Sequence, residues 1–302
     1  MSDAARAIPL PRRRRLRQRD YVPYLFIAPN LLLFAVFVLG PVAFAFAMSF
    51  TNWQGTTTGT WVGLRNYVNL AGDDVFLTAV RNTVLYSVGT VLPMLAISLG
   101  LALMLDARLR GRTFYRVMVY LPVVISWVAA SVVWRLMFLH PDGIMNAFLG
   151  ELGIPPQLWV ADPILALPAI MWMTLWKGLG FYTVVYLAGL QTIPAALYEA
   201  GMIDGAGKWQ LFWNITLPLL RPTSLFALVI GIIGSFEVFI PVYLMTGGGP
   251  GYASMVLVMA IYRAAFSNNQ MGYASAIAVA LFFMILSVSL LQFKLFGKEV
   301  QY

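Results

Sequence analysis

Residues 194–218 read PAALYEAGMIDGAGKWQLFWNITLP, the one sizeable internal stretch that mixes polar and apolar residues between two long apolar segments. Pro194 suits a helix start, because the first turn needs no donor from it and its φ is already helical. Ala195, Ala196 and Leu197 propagate a helix well, and Glu199 lies near enough to the positive N-terminal end to favour it. Asp204-Gly205-Ala206-Gly207 breaks the run with the residues a tight turn needs. A second helix follows, in which Trp209, Phe212, Trp213 and Thr216 recur at i, i+3, i+4 and i+7 and so share one face. Pro218 opens the next apolar segment. A helix–turn–helix with one exposed acid and a bulky stripe, set between apolar segments, reads as a docking element at a membrane surface.

The surrounding composition fixes the solvent. The chain has 302 residues, 60% hydrophobic and 11% charged, with a mean hydropathy of +0.79. A soluble protein of this length needs more charge to cover its surface, so the class is an all-α polytopic membrane protein. Cysteine is absent and His140 is the single histidine, which excludes disulfides, thiolate sites and a histidine cluster; no metal site and no catalytic residue is expected. The net charge of +8 does not mark a nucleic-acid stripe, since seven of the 20 basic residues fall in the first 19 positions and most others flank apolar segments.

Working outward, residues 1–21 form a basic tail with Arg6, Arg12, Arg13, Arg14, Arg15, Arg17 and Arg19. The apolar run 24–50 is too long for a cleaved leader and is read as a retained span. Further spans are expected at about 82–105, 117–139, 163–190, 217–245 and 272–293. Residues 252–266 are too short to cross and carry Arg263, so they are read as an exterior interfacial or re-entrant segment. Six spans with both ends inside leave 15 basic residues in cytoplasmic segments and three outside: Arg65, Arg81 and Arg263. On this reading residues 22–302 are a single transmembrane domain interacting with the lipid bilayer, and the loop at about 191–218 is cytoplasmic.

Glu199-Ala200-Gly201, then Asp204, Gly205 and Ala206, then Ile215, Leu217 and Pro218 resemble the EAA loop of permease subunits of binding-protein-dependent ABC importers. VGLRNY at 62–67, FYRVMVYLP at 114–122, AGLQTIP at 188–194 and YLMTGGGP at 243–250 are similar to sugar permeases of the maltose and glycerol-3-phosphate type. One departure is Gly201, where the motif has alanine. The resemblance implies a type I importer fold, a second permease subunit, two ATPase subunits carrying ATP and Mg, and an extracytoplasmic solute-binding protein. It also implies that Glu199 and Gly205 contact the ATPase. No cofactor is expected on this chain itself: the glycines before Lys208 are misplaced for a phosphate cradle, and Trp209 stands where a hydroxyl residue would hold magnesium.

Lys177 and Glu237 lie inside expected spans, where a charge costs about 2.5–3.5 kcal/mol unless it faces a cavity or a partner. The two spans run antiparallel, so Lys177 and Glu237 are candidates either for a mutual ion pair or for the substrate path. By the resemblance that path is lined by Trp176, Lys177, Gly178 and Phe181 in the fourth span and by Gly231, Gly234, Ser235 and Val238 in the fifth; Glu237 joins them as a buried charge. Gly231, Gly234, Ser235 and Val238 also share a helical face by spacing. A competing reading is a proton-coupled secondary transporter with Glu237 as carrier and Lys177 as its charge partner. An integral-membrane enzyme fits least, because no carboxylate or histidine cluster accompanies the spans.

Overall fold

A computed structural model describes residues 18–56, 59–107 and 110–296; the expected basic tail from Arg6 to Arg17, with Arg108 and Lys298, lies outside them. The chain divides into two units, residues 1–47 and 48–302. In the first, α1 (Gln18–Phe34) passes through a π-helical turn, Ala35–Leu39, into α2 (Gly40–Met48). Together they give an apolar helix from Tyr24 to Met48, most of whose residues are exposed.

The second unit is a helical bundle. A loop pinned by Asn66, whose Nδ2 donates to the carbonyls of Ser49 and Thr51 (both 2.8 Å), leads to α3 (Arg65–Ala71). The 33-residue α4 (Asp74–Asp106) follows. Its start is capped by Asp73, whose Oδ1 accepts from the amides of Val75 (2.8 Å) and Phe76 (3.3 Å). Then come α5 (Arg112–Val124), α6 (Trp127–Met137), the short α7 (Ile144–Glu151) and the 26-residue α8 (Ala166–Gln191). The elbow consists of α9 (Ala195–Ile203), α10 (Lys208–Leu211), a π-helical turn at Phe212–Thr216 and the single turn α11 (Leu217–Leu219). Beyond it lie α12 (Arg221–Phe236), α13 (Ile240–Met245), α14 (Leu257–Tyr262) and α15 (Met271–Phe296).

Among the described residues three helices are long and apolar enough to cross a membrane, and up to six if each of three bent pairs counts as one span. Two expected spans are broken rather than straight. Residues 117–139 divide into α5 and α6, bent by 95° at Ile125–Ser126. Pro122 cannot donate to the helix ladder, and Ser126 opens the new helix by accepting from the amide of Ala129 (3.2 Å). Residues 217–245 break at Glu237–Phe239, because Pro241 has no N–H to carry the ladder past Glu237.

Much of the segment 252–266, expected to be interfacial or re-entrant, is buried in the bundle. Met255, Val256 and Leu257 are fully buried, and Asn82 of α4 holds the loop before them by donating to the carbonyls of Tyr252 and Ala253 (both 3.1 Å). Thr83 of α4 accepts from the amide of Leu257 at 3.0 Å, so α14 is fastened into the bundle core.

Candidate functional site

Two constructions matter, the elbow and a cavity between α4, α8 and α12. In the elbow, Pro194 is the residue just before α9, one position earlier than a first-turn proline. Gly205 makes the turn with φ +83°, a conformation that costs a side-chain-bearing residue about 1–2 kcal/mol. Gly201 fills the departure from the family motif for a packing reason: a Cβ there would come within 2.6 Å of Leu211 and 3.2 Å of Ile215, so its absence lets the two helices close.

Of the stripe that the spacing predicts, Trp209, Phe212 and Trp213 are in mutual ring contact, and Thr216 leaves it. The π turn at Phe212–Thr216 adds a residue to the helical turn, which rotates Thr216 inward. Thr216 is buried and shares a hydrogen bond with the Tyr198 hydroxyl (3.0 Å), tying α9 to the second half of the elbow. Trp209 stays 71% exposed and Trp213 49%. Glu199, Ala200, Asp204 and Gly205 are exposed, while Ala206, Ile215, Leu217 and Pro218 are half-buried. Tyr198, Ile215 and Leu219 pack against a cluster formed by Ala102 of α4, Tyr186, Leu187 and Leu190 of α8, and Leu220. The elbow thus has an outer face of acid, turn and aromatics, and an inner face seated on the ends of two long helices.

The glycine run before Lys208 has its amides committed. Gly205 N donates to Met202 O (3.1 Å), Ala206 N to Gly201 O (2.9 Å) and Gly207 N to Gln210 Oε1 (2.8 Å). None of these three is left to face a phosphate.

The cavity has a volume of about 480 Å³. Gly178, Gly231, Gly234, Ser235, Glu237 and Val238 line it, as do Tyr86, Thr90, Val91 and Met94 of α4, Thr174 and Tyr182 of α8, Trp127, and Phe239 to Pro241 at the break. Small residues make the room: a Cβ on Gly178 would collide with Met94, and one on Gly231 would press on Val91 and the Tyr182 hydroxyl. Much of the wall's polar chemistry is satisfied internally. Tyr86 and Thr174 share a hydrogen bond (2.8 Å), Thr90 donates to Tyr86 O (2.6 Å), and Ser235 donates to Ser87 (2.6 Å). A larger hollow of about 680 Å³, lined by loop residues such as Asn52, Trp53 and Asn69, shares no position with these.

Trp176, Lys177 and Phe181 are not brought to the cavity. Trp176 sits two residues from Thr174 and Gly178, about 200° round the helix, and packs on Trp134 at 5.6 Å. Phe181 meets the edge of Tyr182 at 5.1 Å. Lys177 is 4% exposed and points at the break between α5 and α6. Its ammonium donates to the carbonyls of Pro122 (3.2 Å), Val123 (3.3 Å) and Ile125, and lies 4.8 Å from the centre of the Trp127 ring. The ion pair between Lys177 and Glu237 is therefore corrected: α8 turns Lys177 toward α5 and α6, whose freed carbonyls take the charge that a carboxylate was expected to take. Glu237 instead ends α12, exposed at the cavity.

Residues 83–296 match the sequence profile of a family described as binding-protein-dependent transport system inner membrane component. The chain belongs to that family. The permease is 37% identical over 291 residues to the probable ABC transporter permease protein YurN of Bacillus subtilis (strain 168), covering 94% of this chain and 99% of the relative. It is 36% identical over 280 residues to the arabinooligosaccharides transport system permease protein AraP of the same organism, covering 91% and 88%. Its fold matches the crystal structure of a bacterial ABC transporter involved in the import of the acidic polysaccharide alginate, with a TM-score of 0.82, 27% identity and coverage of 94% and 98%. The permease is thus an ABC-type transport component of the inner membrane, as the family description and the apolar helices agree.

Proposed function

We propose that the permease is one of two membrane subunits of an ATP-driven importer for a sugar or sugar-like solute, an oligosaccharide, a polyol or a glycerol-phosphate derivative. It has six spans and cytoplasmic termini, and hydrolysis takes place on two partner ATPases. An extracytoplasmic binding protein delivers the solute to the cavity between α4, α8 and α12. The elbow at 194–218 sits in a cleft of one ATPase, with Glu199 as its ionic contact and Gly205 as the turn that fits. Closure of the ATPases on ATP moves the elbow. Its inner face on Ala102, Tyr186, Leu187 and Leu190 passes that movement to α4 and α8, two walls of the cavity. Differential affinity of ATP for one arrangement then biases access to one side of the membrane.

The observation that carries this reading is the two-faced elbow: an exposed acid and turn outside, a packed seat on cavity-forming helices inside. The proton-coupled alternative needed Lys177 beside Glu237, and Lys177 is engaged elsewhere. The test is solute uptake and ATPase co-purification in Glu199→Ala and Gly205→Asp. Both variants are expected to insert normally and to lose uptake by at least about tenfold, roughly the worth of one charge-assisted contact. Unchanged uptake together with unchanged ATPase retention would sink the coupling role.

A further inference from the structure

The cavity's charge is one-sided. Glu237 is the single carboxyl side chain on the wall among the described residues, and no lysine or arginine lines the wall beside it. Lys177, the partner that the antiparallel spans suggested, is buried against the Trp127 ring with its ammonium on backbone carbonyls. Trp127, Tyr182 and Phe239 add aromatic faces, which carry partial negative charge. With the Ser235 and Thr90 hydroxyls bonded inside the wall, what the side chains here offer a solute is mainly acceptor and ring face, plus the Tyr182 hydroxyl.

From this we infer that Glu237 is a specificity-determining residue: the cavity takes neutral, hydroxyl-rich saccharides, tolerates an ammonium group on them, and rejects those bearing carboxylate or phosphate. The inference rests on the proposed reading of the cavity as the saccharide path and narrows its substrate class. A carboxylate accepts two sugar hydroxyls side by side, and the rings stack against the apolar faces of a pyranose. The same carboxylate repels an anionic sugar, and among this chain's described residues on the wall no cation softens the repulsion.

The absence of cysteine from this chain makes the potential measurable. Gly234→Cys places a thiol on the cavity wall, where an added Cβ meets nothing within 4 Å. In the complete transporter, the thiol is treated with a trimethylammonium-bearing and a sulfonate-bearing methanethiosulfonate, and modification of this chain is followed by mass. After normalising to free cysteine, the cationic reagent is expected to react about tenfold faster or more. Glu237→Gln should bring that ratio close to one, and so should about 1 M salt on the parent, which needs no second substitution. A ratio near one in the parent, or one that survives Glu237→Gln, overturns the inference.

A second arm adds maltotriose or trigalacturonate as protectants. Maltotriose is expected to slow modification and trigalacturonate to do so only after Glu237→Gln. Equal protection by both overturns the inference while leaving the cavity as the path. Protection by neither overturns the proposed path, and the inference falls with it even if the reagent ratio holds.

Discussion

The elbow and the cavity sit at the two ends of one proposed stroke, yet they are held together differently. In the elbow the decisive contacts are short in sequence: Tyr198 to Thr216, Gly201 against Leu211, and the Gly205 turn between them. In the cavity the contacts are long, with Tyr86 bonded to Thr174 and Ser87 to Ser235 across 88 and 148 residues. A locally closed unit can be moved as one piece. A wall assembled from three helices changes shape whenever one of them tilts, which is what an alternating path requires.

The widest separation of the two regions is expected from Gly234→Phe. The position is open, so the protein should still assemble with its ATPases, but the ring fills the cavity and solute uptake should fall to background. Retained uptake would show that solute passes elsewhere. Gly205→Val should do the converse. A β-branched residue at φ +83° strains the turn by about 1–2 kcal/mol or more, and ATPase retention should drop while saccharide protection of a cavity thiol persists.

Lys177→Met sharpens the contrast on stability. It leaves the carbonyls of Pro122, Val123 and Ile125 without their donor in a part-buried place, at a cost of about 1–3 kcal/mol, visible as earlier thermal unfolding in detergent. A change in substrate affinity with no loss of stability would return Lys177 to the path. Combined with Glu237→Gln, the two effects on stability should add within about 0.5 kcal/mol, because the groups share no contact. Tyr198→Phe should be the mildest, removing one hydrogen bond worth about 1 kcal/mol and loosening the two halves of the elbow.

Much of the elbow was legible because its signals are local: the Asp204-Gly205 turn, the exposed Glu199 and the flanking apolar runs. Thr216 departs from the aromatic stripe for a local reason too, since a π turn shifts it off the face that ideal 3.6-residue spacing assigns. Part of the cavity follows from the periodicity of α12, which puts Gly231, Gly234 and Ser235 on one side; Val238 lines it too, from the break beyond the helix. The α4 wall was missed, although Tyr86, Thr90 and Met94 recur every fourth residue and mark one face of that helix. Nothing in sequence proximity joins them to Thr174 or Gly178. The cost of burying Lys177 is legible in the sequence, but what satisfies it is not, because the carbonyls it meets are freed only where the helix breaks at Pro122–Ser126.

Whether the elbow drives the cavity can be read from a single thiol. With Gly234→Cys in the complete transporter, the rate of modification by a membrane-impermeant reagent is measured with and without trapped ATP. The rate should change about tenfold on ATP trapping when Glu199 is present, and that change should vanish in Glu199→Ala. A cavity thiol that still responds to ATP in full without Glu199 would contradict the account.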